Sequence, residues 1–258
     1  MVQTGRICII ALASIWCLTI FNGTFLSVNA KQPDSGRLPI LLIHGYNEYP
    51  IILDSWRGWL QADNFSNIYS IRFQDDKCGS VEAHAAELNN IVNGILHDTG
   101  YEKVNIVAHS KGGLDARWYI GHSGIDKVAN LIMIGTPNSG SPAAVWDISG
   151  CLPGSDSDLF PGSSATEVVD RPQSTHYYTI AGNWMSDNVC WIGIFEYRDG
   201  GNCLIPGPDD LLVPLNSAES SPHYNYMLLG IFPYSHVELL QHRDVYERVF
   251  PILNGSTG

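Results

Sequence analysis

The run VNIVAHSKGG at residues 104–113 decides the fold of this chain. Its apolar first half predicts a buried strand, and residues 114–121 have helical composition without proline. Between the two, the backbone must reverse within about two residues, which forces Ser110 into a strained φ/ψ conformation that only small neighbours tolerate. Gly112 and Ala108 are such neighbours. The turn also places Ser110 at a helix N-terminus, where unpaired N–H groups favour negative charge, so the pattern predicts a serine nucleophile.

A serine hydroxyl becomes a good nucleophile only when a base takes its proton and an acid orients that base. The chain supplies both downstream, as Asp210 in the run DDLLVP (209–214) and His236 in the run PYSHVE (233–238). Both follow predicted strands, so their side chains should converge with Ser110 at the carboxyl edge of a parallel sheet. Asp209 is the alternative acid, but adjacent side chains diverge and the spacing to the following valine favours Asp210.

Six other histidines of the mature chain have less favourable positions. Two are expected at the surface, His223 before the last strand and His242 on the approach to the final helix. Four more lie within or beside ordinary elements and are expected to be structural: His84, His97, His122 and His176. His236 therefore remains the predicted base.

Acyl chemistry at a serine also needs two backbone N–H donors for the negative oxygen that develops. The residue after the nucleophile, Lys111, should supply one of them. The other should come from Tyr46, in the run IHGYN (43–47) that ends the first strand. Gly45 there allows close approach of the backbone to a ligand. Alone, this run would indicate only a strand that ends in a turn.

Strand-like and helix-like segments alternate along the chain, which predicts a mostly parallel six-stranded α/β sheet with helices on both faces. Residues 80–99 predict a helix with an apolar stripe, and a final helix is expected near residues 244–250, stopped by Pro251. The predicted strands are 38–43, 68–73, 104–108, 128–134, 177–181 and 226–231.

Two segments interrupt this alternation. Residues 137–173 are rich in Gly, Ser, Pro and Asp but carry apolar side chains, which indicates a lid or a substrate-binding insert. The alternative is a surface loop tethered by a disulfide. Residues 183–208 indicate a second apolar wall. The candidate substrate-binding residues in the two segments are Trp146, Phe160, Trp184 and Trp191.

The amino-acid composition indicates which class of protein this is and which partners are not expected. The chain has 258 residues, 45% hydrophobic and 16% charged, which fits one globular domain with a filled core. With 26 acidic against 14 basic residues and a formal charge of -12, nucleic acid is not an expected partner. Contact with anionic lipid headgroups is not favoured either, so any transient contact with a lipid interface would be apolar. The oligomeric state stays open.

The first thirty residues have the pattern of a secretory signal peptide, with a basic start, a short apolar run and the small residues Val28-Asn29-Ala30. An uncleaved N-terminal anchor is the alternative. We therefore expect a secreted protein whose residues 31–258 form a single domain.

Four cysteines remain after removal of residues 1–30, and an even number in a secreted chain indicates two disulfides rather than zinc, since there is no C-x-x-C pair. Three pairings are possible, of which we favour Cys190 with Cys203 and Cys78 with Cys151. Free buried thiols are the alternative if the chain is not secreted.

Five motifs in order resemble the secreted lipases and esterases of the α/β-hydrolase family, in particular small triacylglycerol lipases of bacterial and archaeal type. They are His-Gly after the first strand, AHSKGG (108–113), GTPNSGS (135–141), the DDLLVP run and a C-terminal histidine. The resemblance spans nearly all of residues 31–258. It implies Ser110 as nucleophile, Asp210 as acid, His236 as base, Tyr46 and Lys111 as oxyanion donors, and a lid at 137–173.

Three positions depart from the family pattern. Ala108 stands where the family pattern around the nucleophilic serine has its first glycine, and in this it resembles one subgroup of small lipases. Leu211 stands where many relatives have a glycine after the acid. Glu238 stands where some larger relatives bind calcium through an aspartate, but one carboxylate does not define an oxygen-ligand cage. No cofactor or metal is predicted, and calcium is the alternative.

The predicted function is a serine hydrolase that cleaves carboxylic esters of lipids or medium-chain acids through an acyl-enzyme. An acyltransferase, or a hydrolase of polyesters or specialised esters, could use the same residues. A catalytically silent binding module is the alternative outside the enzymes. Nothing in the sequence supports the peptide-binding groove of a peptidase.

Overall fold

The computed structural model describes residues 36–75, 78–146, 157–184, 189–192, 195–198, 205 and 207–255. At residues 145–146 and 157, and in the two strands between 189 and 198, only the backbone is described. The predicted signal peptide and the middle of the predicted insert, residues 147–156, lie outside the described residues.

Six strands form one parallel sheet in the order β2-β1-β3-β4-β5-β8. The six-stranded parallel sheet predicted from the alternating pattern is therefore confirmed. A separate antiparallel hairpin, β6 paired with β7, lies in the segment predicted only as an apolar wall. The strands are β1 Ile40–Ile43, β2 Ile68–Ser70, β3 Val104–His109, β4 Val128–Ile134, β5 His176–Gly182, β6 Val189–Ile192, β7 Phe195–Arg198 and β8 Met227–Phe232.

Five α-helices accompany the strands in the described part of the chain: α1 Asp54–Ala62, α2 Val81–Thr99, α3 Lys111–His122, α4 Leu215–Glu219 and α5 Arg243–Leu253. Short 3-10 turns occur at Pro50–Leu53, Pro142–Trp146, Ser157–Leu159 and Glu238–Leu240. Across the described ranges, no helix combines the length and apolar character needed to cross a membrane.

The helices cover both faces of the sheet. On one face, α1 and α5 pack through Trp56 and Tyr246, whose ring centroids are 5.5 Å apart. On the other face, α2 and α3 pack through residues such as Leu88 and Tyr119. Because β1 and β3 lie between these two layers, every residue of both strands is buried.

Helix α2 has the apolar stripe that its sequence predicts, since Val81, Leu88 and Val92 are buried. The Ser80 side chain caps its start by accepting a hydrogen bond from the Ala83 N–H. Gly100 ends it with φ 74°, in the left-handed region that glycine adopts without a steric penalty.

The prediction that Pro251 stops the last helix is wrong, because α5 continues through Pro251 to Leu253. A proline in the last turn removes one backbone hydrogen bond, and the helix can continue where packing compensates for that loss. Ile252 and Leu253 both lie in the core and provide that packing.

Gly112, in the first turn of α3, lies against the backbone that ends β1. A Cβ at this position would lie 2.4 Å from the carbonyl oxygen of His44 and 2.9 Å from Cγ2 of Ile43. The backbone atom cannot move aside without shifting the loop after β1. The small residue that the sequence places after Ser110 is therefore required by a contact between two segments far apart in the chain.

We expect Gly112→Ala to destabilise the protein by about 1–3 kcal/mol, because the added methyl group overpacks this contact. Gly94→Ala is the matched control, since a Cβ there meets nothing within 4 Å. In the middle of α2 this change should raise stability by up to about 1 kcal/mol. Urea denaturation of the two variants measures the difference, and equal stabilities would contradict the contact at Gly112.

Candidate active site

Ser110 occupies a strained turn between β3 and α3, as the run of residues 104–113 predicts. Its backbone has φ 53° and ψ -130°, a combination that costs about 1–3 kcal/mol in a residue other than glycine. The turn is held in place because the Ser110 N–H donates to the carbonyl oxygen of Ile134 at 2.9 Å. The Ser110 carbonyl accepts from the Gly113 N–H at 3.0 Å.

Asp210 and His236 form a buried pair. Nδ1 of His236 donates to Oδ2 of Asp210 at 2.8 Å, and the His236 backbone N–H donates to the Asp210 carbonyl oxygen at 2.8 Å. The other carboxylate oxygen accepts from the N–H groups of Leu212 at 3.0 Å and Val213 at 2.7 Å. These bonds fix the imidazole with its proton on Nδ1, which leaves Nε2 able to accept a proton.

Ser110 and His236 are brought to the same place by neighbouring backbone. Gly135 follows Ile134, the acceptor of the Ser110 N–H, and a Cβ on Gly135 would lie 3.1 Å from Nδ1 of His236. His109, directly before Ser110, hydrogen-bonds the carbonyl oxygen of His236 at 3.0 Å. The predicted nucleophile, acid and base therefore share the carboxyl edge of the sheet.

In the structure Asp210 pairs with His236, whereas Asp209 stabilises a turn of the backbone. Asp209 is fully buried, and its Oδ1 accepts from the Leu211 N–H at 2.6 Å. This bond stabilises a turn in which Leu211 has φ 90°. A left-handed backbone is a conformation that glycine adopts more easily than leucine.

The environment of His236 favours its protonated form. Burial lowers the pKa of a histidine, but the Asp210 carboxylate and its hydrogen bond, with a smaller contribution from Glu48, outweigh burial and raise the pKa of His236 above 6.5. The Asp210 carboxylate can thus stabilise an imidazolium at this position.

Of the predicted oxyanion donors, Lys111 directly follows Ser110 and Tyr46 lies in a loop that contacts Ser110 through Gly45. Lys111 is the first residue of α3, where a backbone N–H has no acceptor within its own helix. Tyr46 follows Gly45, and a Cβ on Gly45 would lie 2.6 Å from Cβ of Ser110. The loop after β1 therefore contacts the turn directly, and the donor roles of Tyr46 and Lys111 stay predictions.

The Lys111 side chain is buried in an ionic cluster that the sequence analysis did not identify. Its Nζ lies 2.7 Å from Oδ1 of Asp115 and 3.5 Å from Oδ2 of Asp158. Asp115 also bonds Nδ1 of His84 at 3.0 Å. The i,i+4 spacing of Lys111 and Asp115 was the available sequence signal.

Asp158, which lies within the predicted insert, connects the insert to this cluster. Its Oδ2 accepts from the Val81 N–H at the start of α2, at 2.8 Å. Burial raises the pKa of Asp158 to about 6, although Lys111 and the Val81 N–H act in the opposite direction. The insert is thus attached beside the turn that holds Ser110.

A fully buried arginine fixes both described flanks of the insert. Arg117 on α3 donates to the carbonyl oxygen of Asn138 at 3.0 Å and to the carboxylate of Asp170 at 3.0 Å. It also donates to the carbonyl oxygens of Thr166 and Val168. A lid role for residues 137–173 stays a prediction.

The candidate substrate-binding aromatics are placed as follows. Trp184 is 47% exposed, in the turn after β5, and Phe160 is partly buried. Trp146 ends a 3-10 turn and Trp191 lies in β6, and only their backbones are described. Their contact with a substrate remains a prediction.

Of the four cysteines in residues 31–258, Cys78 is disulfide-bonded. Cys151 and Cys203 lie outside the described residues, and only the backbone of Cys190 is described. The predicted pairings, Cys78 with Cys151 and Cys190 with Cys203, therefore stay predictions.

Glu238, the residue considered for calcium, binds its own turn. Its carboxylate accepts from the backbone N–H of Ser235 at 3.0 Å and from the Ser235 hydroxyl at 2.7 Å. Within the described ranges, no three or more His, Cys, Asp or Glu side chains group as a metal site would require.

We expect His236 to titrate with a midpoint above 6.5 and Asp210→Asn to lower that midpoint by about one unit or more, because the variant lacks the opposing charge. The measurement is an NMR pH titration of the imidazole. Asp209→Asn is the control and should change the midpoint less. Equal effects of the two variants would contradict the pairing of Asp210 with His236.

We expect Asp158→Ala to lower the free energy of unfolding by about 1–3 kcal/mol, because it leaves the buried Val81 N–H without its acceptor. Asp158→Asn keeps an amide oxygen for that N–H and should remain close to the wild type. Urea denaturation at neutral pH compares them. An Asp158→Ala variant as stable as the wild type would rule out this attachment of the insert.

A family model described as lipase (class 2) matches residues 37–150. The chain is 29% identical over 163 residues to a triacylglycerol lipase of Burkholderia plantarii, and this aligned segment covers 56% of this chain and 44% of the relative. It is 33% identical over 117 residues to a triacylglycerol lipase of Pseudarthrobacter phenanthrenivorans, covering 42% of this chain and 35% of the relative. The matched segments thus span less than half the length of these curated relatives.

The whole fold resembles a solved structure, the mature form of a Bacillus licheniformis lipase. The two superpose with a TM-score of 0.67 at 20% identity, over 90% of this chain and 98% of the other. This likeness and the six-stranded parallel sheet confirm the architecture that the motifs predicted. The chain has the α/β-hydrolase fold, and its residues 37–150 carry the sequence pattern of the class 2 lipases.

Proposed function

We propose that this protein is a serine hydrolase that cleaves carboxylic esters, with Ser110, Asp210 and His236 as its catalytic residues. The observation that carries the proposal is the buried hydrogen bond of 2.8 Å between Asp210 and His236, at the sheet edge where Ser110 is held in its strained turn. The match to the class 2 lipase model and the similarity to triacylglycerol lipases support an ester as substrate.

In acylation, Oγ of Ser110 attacks the ester carbonyl carbon while Nε2 of His236 takes the hydroxyl proton. Asp210 stabilises the resulting imidazolium. When the intermediate collapses, the bond to the alcohol oxygen breaks and His236 returns the proton to that oxygen. Water then attacks the acyl-enzyme by the same route, which releases the acid and regenerates Ser110.

The tetrahedral intermediate places negative charge on the former carbonyl oxygen. The backbone N–H groups of Tyr46 and Lys111 are the proposed donors to this oxygen. Lys111 is suited to this role because its side chain is engaged with Asp115, so its backbone is held in place at the start of α3.

The loops that carry these residues also carry exposed apolar side chains, which supports an apolar acyl or alcohol group in the substrate. Leu212, close to Asp210, is 48% exposed, and Val237, next to His236, is 40% exposed. In the loop after β1, Ile51 is 73% exposed. We propose lipid or medium-chain acyl esters, with transient apolar contact with a lipid interface.

We further propose that the protein is secreted. The disulfide at Cys78 supports an oxidising compartment, and the pattern of residues 1–30 fits a signal peptide.

We expect hydrolysis of p-nitrophenyl esters from C2 to C16, with kcat/KM higher for octanoyl than for acetyl, because each buried methylene contributes about 0.8 kcal/mol. Ser110→Ala should lower kcat by at least about 10⁴-fold. The rate of wild-type enzyme should increase with pH as His236 loses its proton, through a midpoint above 6.5.

Ser123→Ala is the matched control, since Ser123 is exposed at the other end of α3 and should leave the rates unchanged. Equal rates on acetyl and octanoyl esters would argue against an apolar acyl site. If a folded, oxidised protein cleaved no ester, the proposal would fail and a specialised substrate or a silent binding module would replace it.

A further inference from the structure

The residue before Ser110 contacts two other loops of the candidate site. His109 is fully buried, its Nδ1 lies 2.9 Å from Oε2 of Glu48, and its Nε2 lies 3.0 Å from the carbonyl oxygen of His236. The same Oε2 accepts from the Gly45 N–H at 2.6 Å. One carboxylate and one imidazole thus connect the loop after β1, the turn at Ser110 and the loop of His236.

Both partners of the His109 ring are acceptors. A carboxylate and a carbonyl oxygen can each receive a proton but cannot donate one, so both contacts are hydrogen bonds only when the ring has a proton on each nitrogen. The Glu48 carboxylate is itself a buried charge, and the His109 ring and the Gly45 N–H both lie within hydrogen-bond distance of its Oε2.

The carboxylate of Glu48 is held in its charged form. Burial raises the pKa of a carboxyl group, but the charge and hydrogen bond of His109, together with His236 and the Gly45 N–H, lower the pKa of Glu48 to about 2. Its bonds to His109 and Gly45 are therefore charge-assisted, which makes them shorter and stronger than neutral ones.

These bonds connect three groups of the candidate site. Gly45 precedes Tyr46, the candidate oxyanion donor, and His109 precedes the nucleophile. The carbonyl that His109 holds belongs to the base itself, and the rings of His109 and His236 lie 4.6 Å apart. The side chains of Glu48 and His109 therefore hold Tyr46, Ser110 and His236 at set distances from one another.

We propose that Glu48 and His109 are positioning residues, a pair that fixes the loop of Tyr46 and the base His236 relative to Ser110. The kinetic part of this inference rests on the proposed ester hydrolysis. Neither residue needs to touch the substrate. The effect of losing the pair should therefore appear in the rate of the chemical step more than in substrate binding, because a displacement of about 1 Å can cost about 10²-fold in rate.

The kinetic test uses Glu48→Ala, Glu48→Gln and His109→Ala, with Glu247→Gln as control. Glu247 pairs with Arg243 on α5 and is 64% exposed, so its loss of charge should change nothing. The active fraction of each protein is measured by titration with a fluorophosphonate, and kcat is expressed per reactive Ser110. This separates slower turnover from a smaller number of folded molecules.

We expect kcat per active site to fall by about 10²-fold in Glu48→Ala and His109→Ala, with KM changed by less than about threefold. Glu48→Gln keeps an oxygen for the Gly45 N–H and should recover part of the rate. A merely structural role predicts a smaller active fraction with normal kcat per site. That result, or equal kcat in all four variants, would overturn the proposal.

A second measurement does not depend on catalysis. The proton on Nδ1 of His236, bonded to Asp210, should give a downfield NMR resonance that shifts or broadens in Glu48→Ala and stays unchanged in Glu247→Gln. If wild-type protein cleaved no ester, only the proposed function would fail, and a shifted resonance would still support the positioning of His236. An unchanged resonance in Glu48→Ala would overturn it.

Discussion

The left-handed backbone of Ser110 is the constraint on which the rest of this structure depends. At φ 53° and ψ -130° the residue is strained, and the surroundings must hold it there. Strand β3 provides that support, because all six of its residues are buried between β1, β4 and the helices. Burial of each Val or Ile side chain contributes about 1.5–3 kcal/mol, so one or two of them offset the strain.

The strain also limits what can stand next to Ser110. Gly45 and Gly112 approach from two sides so closely that neither could carry a Cβ without moving its neighbours. One contact is with Ser110 itself and the other is with the carbonyl oxygen of His44. The loop after β1 and the start of α3 are thus packed against each other by the same turn, which brings the two candidate oxyanion donors to one place.

Three pairs of buried titratable side chains lie around this turn. Lys111 pairs with Asp115, Arg117 with Asp170, and His236 with Asp210. A buried pair adds little net stability, but loss of one member leaves an uncompensated charge and is strongly destabilising. These pairs therefore act chiefly to hold the surrounding segments in one arrangement, including the flanks of the insert and the loop of His236.

The sequence by itself determined the sheet and the turn at Ser110 and named the candidate acid and base in chain order, because strand periodicity, small neighbours and chain order can be read from the chain alone. The sequence pattern did not predict α1, whose apolar face includes Trp56 packed against Tyr246. It also predicted an end of α5 that lies before the observed one. Tertiary structure alone decided the partners of the site. The bonds from Asp210 to His236, from Glu48 to His109 and from His109 to His236 join residues 26, 61 and 127 positions apart. A choice such as Asp210 over Asp209 depends on which side chain faces the histidine, and that direction is set only when the loops fold together.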